Sequence, residues 1–84
     1  MRFHFDSAKA TSNLKKHGVS FADAEGVFYD TLAIHCDDPE AKGEERFVAV
    51  GVDSASEILV VVYTLHGDEI RLISARREVK DYES

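Results

Sequence analysis

Three groups of charged residues stand where helices or strands are expected to end: Lys16-His17, Glu45-Arg46, and Arg71 with Arg76-Arg77. Cationic side chains gathered on one surface bind phosphate oxygens, and arginine does so through two parallel donors at any relevant pH. Arg71 carries the sharpest signal. It shares strand parity with Ile73 and Ala75, which turns an arginine toward the side of apolar neighbours, where its charge requires a carboxylate or a phosphate. A purely structural account also fits the other groups. Lys16 complements the negative end of a helix dipole, Glu45 and Arg46 form a solvated strand entry, and His17 rests half-buried against a backbone carbonyl.

Other chemistries lack their residues. The histidines His4, His17, His35 and His66 show neither an i, i+4 pair on a helix nor a neighbouring carboxylate in metalloprotease spacing, so neither a metal nor a cofactor is expected. No glycine pattern forms a phosphate loop, and no Ser, Cys or Thr occupies a nucleophile elbow. Cys36 is the sole cysteine, which rules out an internal disulfide, agrees with a reducing compartment, and reads as a small buried apolar residue.

The elements that must position these charges follow from the hydrophobic pattern. A chain of 84 residues, 44% hydrophobic and 31% charged, supports one folded domain spanning residues 1–84. Residues 2–5 alternate as a short strand with Phe3 and Phe5 on one face. Asp6 caps a helix through His17, with Ala10, Leu14 and His17 on one stripe and Gly18 as its left-handed end. Ser20 caps a second helix, with Asp23 as a capping-box partner, Val19 stapled against Ala24, and Phe21, Ala24, Val27 and Phe28 on its apolar face. Strands are expected at Leu32–Cys36, Phe47–Val52, Ile58–Leu65 and Glu69–Ala75, the third of them central because it is almost continuously apolar. Short connections at 53–56 and 66–68 make the last three an antiparallel meander, and the polar 37–43 loop is expected to be mobile. The fold class is therefore α+β: a short N-terminal strand, two helices packed on an antiparallel meander, and a short C-terminal segment.

Charge is unevenly spread. The net charge of −6 divides into +3 over residues 1–22, −8 over 23–57 and −1 over 58–84. A phosphate site would have to be assembled from the first helix and the last strand, whereas the acidic middle suits a basic protein partner. No apolar run approaches the roughly 18 residues of a bilayer span, and residues 1–6 lack a signal-peptide core, so a soluble cytoplasmic protein without a membrane partner is expected.

Phe5-Asp6, Lys9, Asn13, Lys16-His17-Gly18-Val19-Ser20-Phe21 with Ala24, Gly43-Glu44-Glu45-Arg46-Phe47, and Ile70-Arg71-Leu72-Ile73-Ser74-Ala75-Arg76-Arg77 closely resemble the BrnT family of bacterial toxins, over about residues 3–77. The resemblance implies a RelE-like fold, ribonuclease activity that halts translation, and a BrnA-type antitoxin. It further implies a toxin homodimer within a heterotetramer, with operator DNA contacted only through the antitoxin. The chain departs from the family at Glu78–Ser84, which is short and acidic where such toxins continue through a longer basic helix.

For RNA cleavage by a 2′-hydroxyl the chemistry needs a base, an acid and positive charge on the phosphorane oxygens. The expected catalytic residues are His17 and Glu45 for proton transfer and Arg71 and Arg76 for phosphate, with Lys16, Arg46 and Arg77 binding RNA. The rival is a non-catalytic subunit of the same fold that acts as antitoxin partner and corepressor, which the acidic tail and net charge favour.

Overall fold

The computed structural model describes residues 2–41, 43 and 45–78. Five strands, β1 (Arg2–His4), β2 (Ile34–Asp37), β3 (Phe47–Val52), β4 (Ile58–His66) and β5 (Glu69–Arg77), form one mixed sheet in the order β1-β5-β4-β3-β2. The last four pair antiparallel, and β4 is central as its β-branched run requires. β1 pairs in parallel with β5, His4 beside Arg71, which the sequence pattern does not announce. Two helices, α1 (Ser7–His17) and α2 (Phe21–Ala24), fill the stretch between β1 and β2, and α2 continues into a 3-10 helix at Glu25–Tyr29.

Local chemistry accounts for the helix ends. Asp6 Oδ1 accepts from Ala8 N at 2.7 Å, Gly18 turns left-handed at φ 71°, and its amide donates to Leu14 O. Ser20 Oγ accepts from Asp23 N, completing half of a capping box, while the Asp23 carboxylate accepts from Ser54 Oγ instead. The second helix is shorter than its apolar stripe suggests. Val27 and Phe28 reach the core from the 3-10 turn, and a Cβ on Gly26 would lie 2.6 Å from Ser54 N, so the close approach needs glycine.

One sheet face carries the core. Leu59, Val61 and Tyr63 of β4, Ile70, Leu72 and Ala75 of β5 and Ala49 of β3 bury against Phe21, Ala24 and Val27. Complete burial of a side chain such as Leu59 or Leu72 contributes about 1.5–3 kcal/mol. Gly51 lets the 3-10 helix and the turn after it seat directly on β3, because a Cβ there would stand 3.1 Å from Val27 Cγ1 and 2.8 Å from Ala33 Cβ.

Several expectations are corrected. α1 does not bury Leu14, which is 51% exposed; it buries Asn13. The reason is that β1 pairs only with Glu69–Arg71, leaving the outer edge of β5 open beyond that point. Asn13 closes it like a strand partner: Nδ2 donates to Ala75 O at 2.8 Å and to Val19 O at 3.1 Å, and Oδ1 accepts from Ala75 N at 3.1 Å. The strand expected at Leu32–Cys36 runs Ile34–Asp37, because Asp30 holds Leu32 and Ala33 in a turn. Cys36 is exposed rather than buried, since β2 is an edge strand and Cys36 lies on the face opposite the helices. The parity assigned to Arg71 fails as well. Tyr63 pairs with Leu72 but Val62 pairs with Ser74, so Ile73 is the extra residue of a β-bulge. Arg71 and Ala75 therefore face opposite sides. Of the closing segment, the residues after Glu78 lie outside those described.

Candidate functional site

The sheet face away from the core carries the site. Arg71 stands between two buried residues of β5, Ile70 and Leu72, and so turns to the open face, where the ladder sets it between His4 of β1 and Thr64 of β4. Arg46 precedes Phe47, whose partner on β4 is Tyr63, so it falls opposite Thr64. Asp38 N donates to Arg46 O at 2.9 Å and carries the ladder one strand further. A single cross-strand row, Asp38-Arg46-Thr64-Arg71-His4, thus spans the sheet.

Arg46, Thr64, Arg71 and His4 line one depression of about 440 Å³, together with Lys9 and Asp6 at the start of α1 and His66 at the end of β4. Arg46, Arg71 and Lys9 line it with one carboxylate, Asp6, which is already engaged in capping α1, while Asp38 and Glu69 stand within 4 Å of the two guanidinium groups. The guanidinium groups are only loosely paired: Arg46 Nε lies 3.7 Å from Asp38 Oδ2, and Arg71 Nη2 lies 3.8 Å from Glu69 Oε1. Both distances exceed hydrogen-bond length. Among the described residues, the buried Arg46 Nε and Thr64 Oγ1 have no hydrogen-bond partner. Both atoms are almost wholly covered by protein, and an unmet buried polar group costs about 1–3 kcal/mol, so a ligand's oxygens would reach them only after the covering side chains shift.

A second hollow of about 220 Å³ adjoins the first and shares Lys9 and Ile73 with it. It is lined by Ser12, Asn13, Lys16 and His17 of α1 and by Ser74 of β5. The Asn13 hydrogen bonds fix this helix against the strand, so α1 presents Lys9 and Lys16 beside Arg71 and Ser74. Arg76 pairs with Val60 and shares the open face with Ser74.

Other candidates lie elsewhere. Arg77 pairs with Leu59 on the helix side. Its Nε donates to Glu57 Oε1 at 2.6 Å, and its Nη1 and Nη2 donate to the His17 and Gly18 carbonyls at 3.3 and 3.4 Å, closing the end of α1. Glu45 is exposed and lines a neighbouring hollow with Asp37, Asp38 and Arg46, the arginine being the residue that this hollow shares with the depression. Two groups with displaced pKa values also sit outside the depression. Burial pushes the Tyr63 phenol up, where it shares a 2.8 Å hydrogen bond with His35 Nδ1, and backbone amides of Val52 and Leu32 hold the Asp30 carboxyl down. Among the described residues no group of three or more His, Cys, Asp or Glu is placed to hold a metal ion. Among the described residues no helix is long and apolar enough to cross a membrane.

The family model for the ribonuclease toxin BrnT of type II toxin-antitoxin systems matches residues 5–81. The chain belongs to the BrnT family. Among solved structures, that of the Brucella abortus ribonuclease toxin BrnT is similar, with a TM-score of 0.69 and 25% identity over 95% of this chain and 99% of that one. No curated protein sequence matches. Membership of the BrnT family implies ribonuclease activity and a cognate antitoxin.

In this BrnT-family chain the sequence pattern singled out Arg46 and Arg71 but missed Thr64, His66 and His4 as their neighbours. Only the alternation of Phe3 and Phe5 hinted at His4, by placing it on the opposite face. Thr64 gave no signal, since a threonine in an apolar strand is ordinary and its orphaned hydroxyl becomes visible only beside Arg46 and Arg71.

Proposed function

We propose that this toxin is an endoribonuclease that acts without a metal ion, by attack of a ribose 2′-hydroxyl on the adjacent phosphate. One observation carries the proposal: the orphaned Thr64 Oγ1 and Arg46 Nε belong to the same depression as Arg71. A phosphate there would take two donors from Arg71 and, once the covering side chains shift, would satisfy both atoms, and the same contacts strengthen as charge accumulates on the phosphorane oxygens. Lys9 adds charge at the rim, while Lys16, Arg76 and His17 stand along the path of the flanking RNA strand. Glu45 is poorly placed for proton transfer in this arrangement. Phosphate binding depends on the charge that faces the site, where Arg46, Arg71 and Lys9 line the depression, and not on the net charge of −6 alone.

The cognate antitoxin silences the enzyme by covering this depression, in a complex of two toxins and two antitoxins that meets operator DNA through the antitoxin alone. Purified protein incubated with single-stranded RNA in EDTA tests the catalytic part. Fragments ending in 2′,3′-cyclic phosphate and 5′-hydroxyl groups are expected. Cleavage abolished by EDTA would overturn metal independence, and intact RNA from a protein that still binds its antitoxin would establish the non-catalytic subunit instead.

A further inference from the structure

We infer that His4 and His66 are the proton-transfer pair of the cleavage reaction. The inference rests on the endoribonuclease proposed above and names the groups that its phosphate site lacks. Of the four histidines, these two line the depression that holds Arg46, Thr64 and Arg71. His17 belongs to the adjoining hollow, and His35 faces the helix side, bonded to Tyr63. His4 is the direct ladder neighbour of Arg71, about 5 Å away across the strands, and His66 lies two positions beyond Thr64 on β4, about 7 Å along the strand. A phosphate seated over Thr64 and Arg71 therefore has one imidazole on its β1 side and the other at the β4–β5 hairpin, both within side-chain reach.

The chemistry balances with these two groups alone. One neutral imidazole removes the proton from the 2′-hydroxyl as its oxygen bonds to phosphorus. The other, protonated, gives its proton to the departing 5′-oxygen as the phosphorus–oxygen bond breaks. The products are a 2′,3′-cyclic phosphate and a 5′-hydroxyl, with no net change in bound protons. Among the described residues, the charged groups around the pair are Arg71 on β5, Asp6 at the N-cap of α1, Lys9 on α1, Arg46 just before β3, and Arg2 on β1 with its ladder partner Glu69, which also pairs with His66. Both histidines are exposed, so their replacement leaves the core untouched.

The test compares single-turnover cleavage by the wild type, His4→Gln, His66→Gln and the helix-side control His35→Gln, on an RNA oligonucleotide cut at one mapped bond. The same oligonucleotide is also prepared with a 5′-sulfur leaving group, which departs without an acid. Each depression variant should slow normal cleavage by about 10²- to 10⁴-fold with RNA affinity and circular dichroism unchanged. The sulfur substrate should restore the variant that lacks the acid and leave the other slow, while each variant loses a different limb of the pH–rate profile. Wild-type rates in both variants, or no rescue of either by sulfur, would overturn the pair while leaving the endoribonuclease intact. A wild type that yields no cyclic phosphate would overturn both.

Discussion

Replacing Thr64 by valine should make the protein more stable and less active. Thr64 is 4% exposed, and its hydroxyl has no partner among the described residues. In the free protein that hydroxyl carries a desolvation cost of about 1–3 kcal/mol, which an isosteric methyl group removes. Valine also suits a central strand at least as well as threonine does. A gain of about 1–2 kcal/mol is expected, which for a domain of this size raises Tm by roughly 4–15 °C. In the reaction the same hydroxyl donates to a charged phosphorane oxygen, a bond worth about 1.5–3 kcal/mol, so cleavage should fall about 10- to 150-fold. Thermal unfolding followed by circular dichroism and single-turnover cleavage measure the two halves on one preparation. Thr64→Val that is less stable than the wild type, or equally active, would refute the claim that this hydroxyl is kept for a ligand.

Three further outcomes follow from the geometry. Asn13→Ala strands the Ala75 amide and the Ala75 and Val19 carbonyls, so it should cost about 3–5 kcal/mol in urea unfolding, a large share of the stability of a small domain; a loss under about 1 kcal/mol would show that α1 docks by other means. Asp30 has a folded pKa below its unfolded value, so its stabilisation is present above the ordinary carboxylate range and lost as pH falls through the folded value; the stability gap between wild type and Asp30→Asn should close on acidification, and a gap independent of pH in urea titrations would contradict the assignment. Charge reversal at Asp37 and Glu40, with Asp38 left beside Arg46, should slow antitoxin association about tenfold at low salt and fade as salt rises; stopped-flow rates insensitive to both changes would remove the acidic stretch from the encounter.

What was legible in the sequence was what local physics decides. Asp6, Gly18 and Ser20 mark helix ends because each satisfies backbone groups within a few residues of itself. The apolar run at 58–65 identifies the central strand because both its edges and one face must be covered. What was not legible depends on register between distant segments. The bulge at Ile73 reverses the facing of everything before it, so the parity that made Arg71 a candidate pointed to the wrong face even as it flagged the residue. Asn13 lies off the Ala10-Leu14-His17 stripe, and its part follows only from the missing strand neighbour of Ala75. Arg77 and Arg76 are adjacent in sequence yet on opposite faces, one tying Glu57 to the end of α1 and the other beside Ser74 on the open side. Glu45 and Arg46 share one hollow, and only the arginine also lines the depression.

The central claim is that the cross-strand row Arg46-Thr64-Arg71 binds the phosphate that is cleaved. The most direct test is single-turnover RNA cleavage by Arg46→Ala/Arg71→Ala, with affinity for the cognate antitoxin and thermal stability measured on the same sample. Loss of cleavage by about a thousandfold or more, with the fold and antitoxin binding retained, is the predicted result. Cleavage within a factor of a few of the wild type, in a folded protein lacking both guanidinium groups, would contradict it.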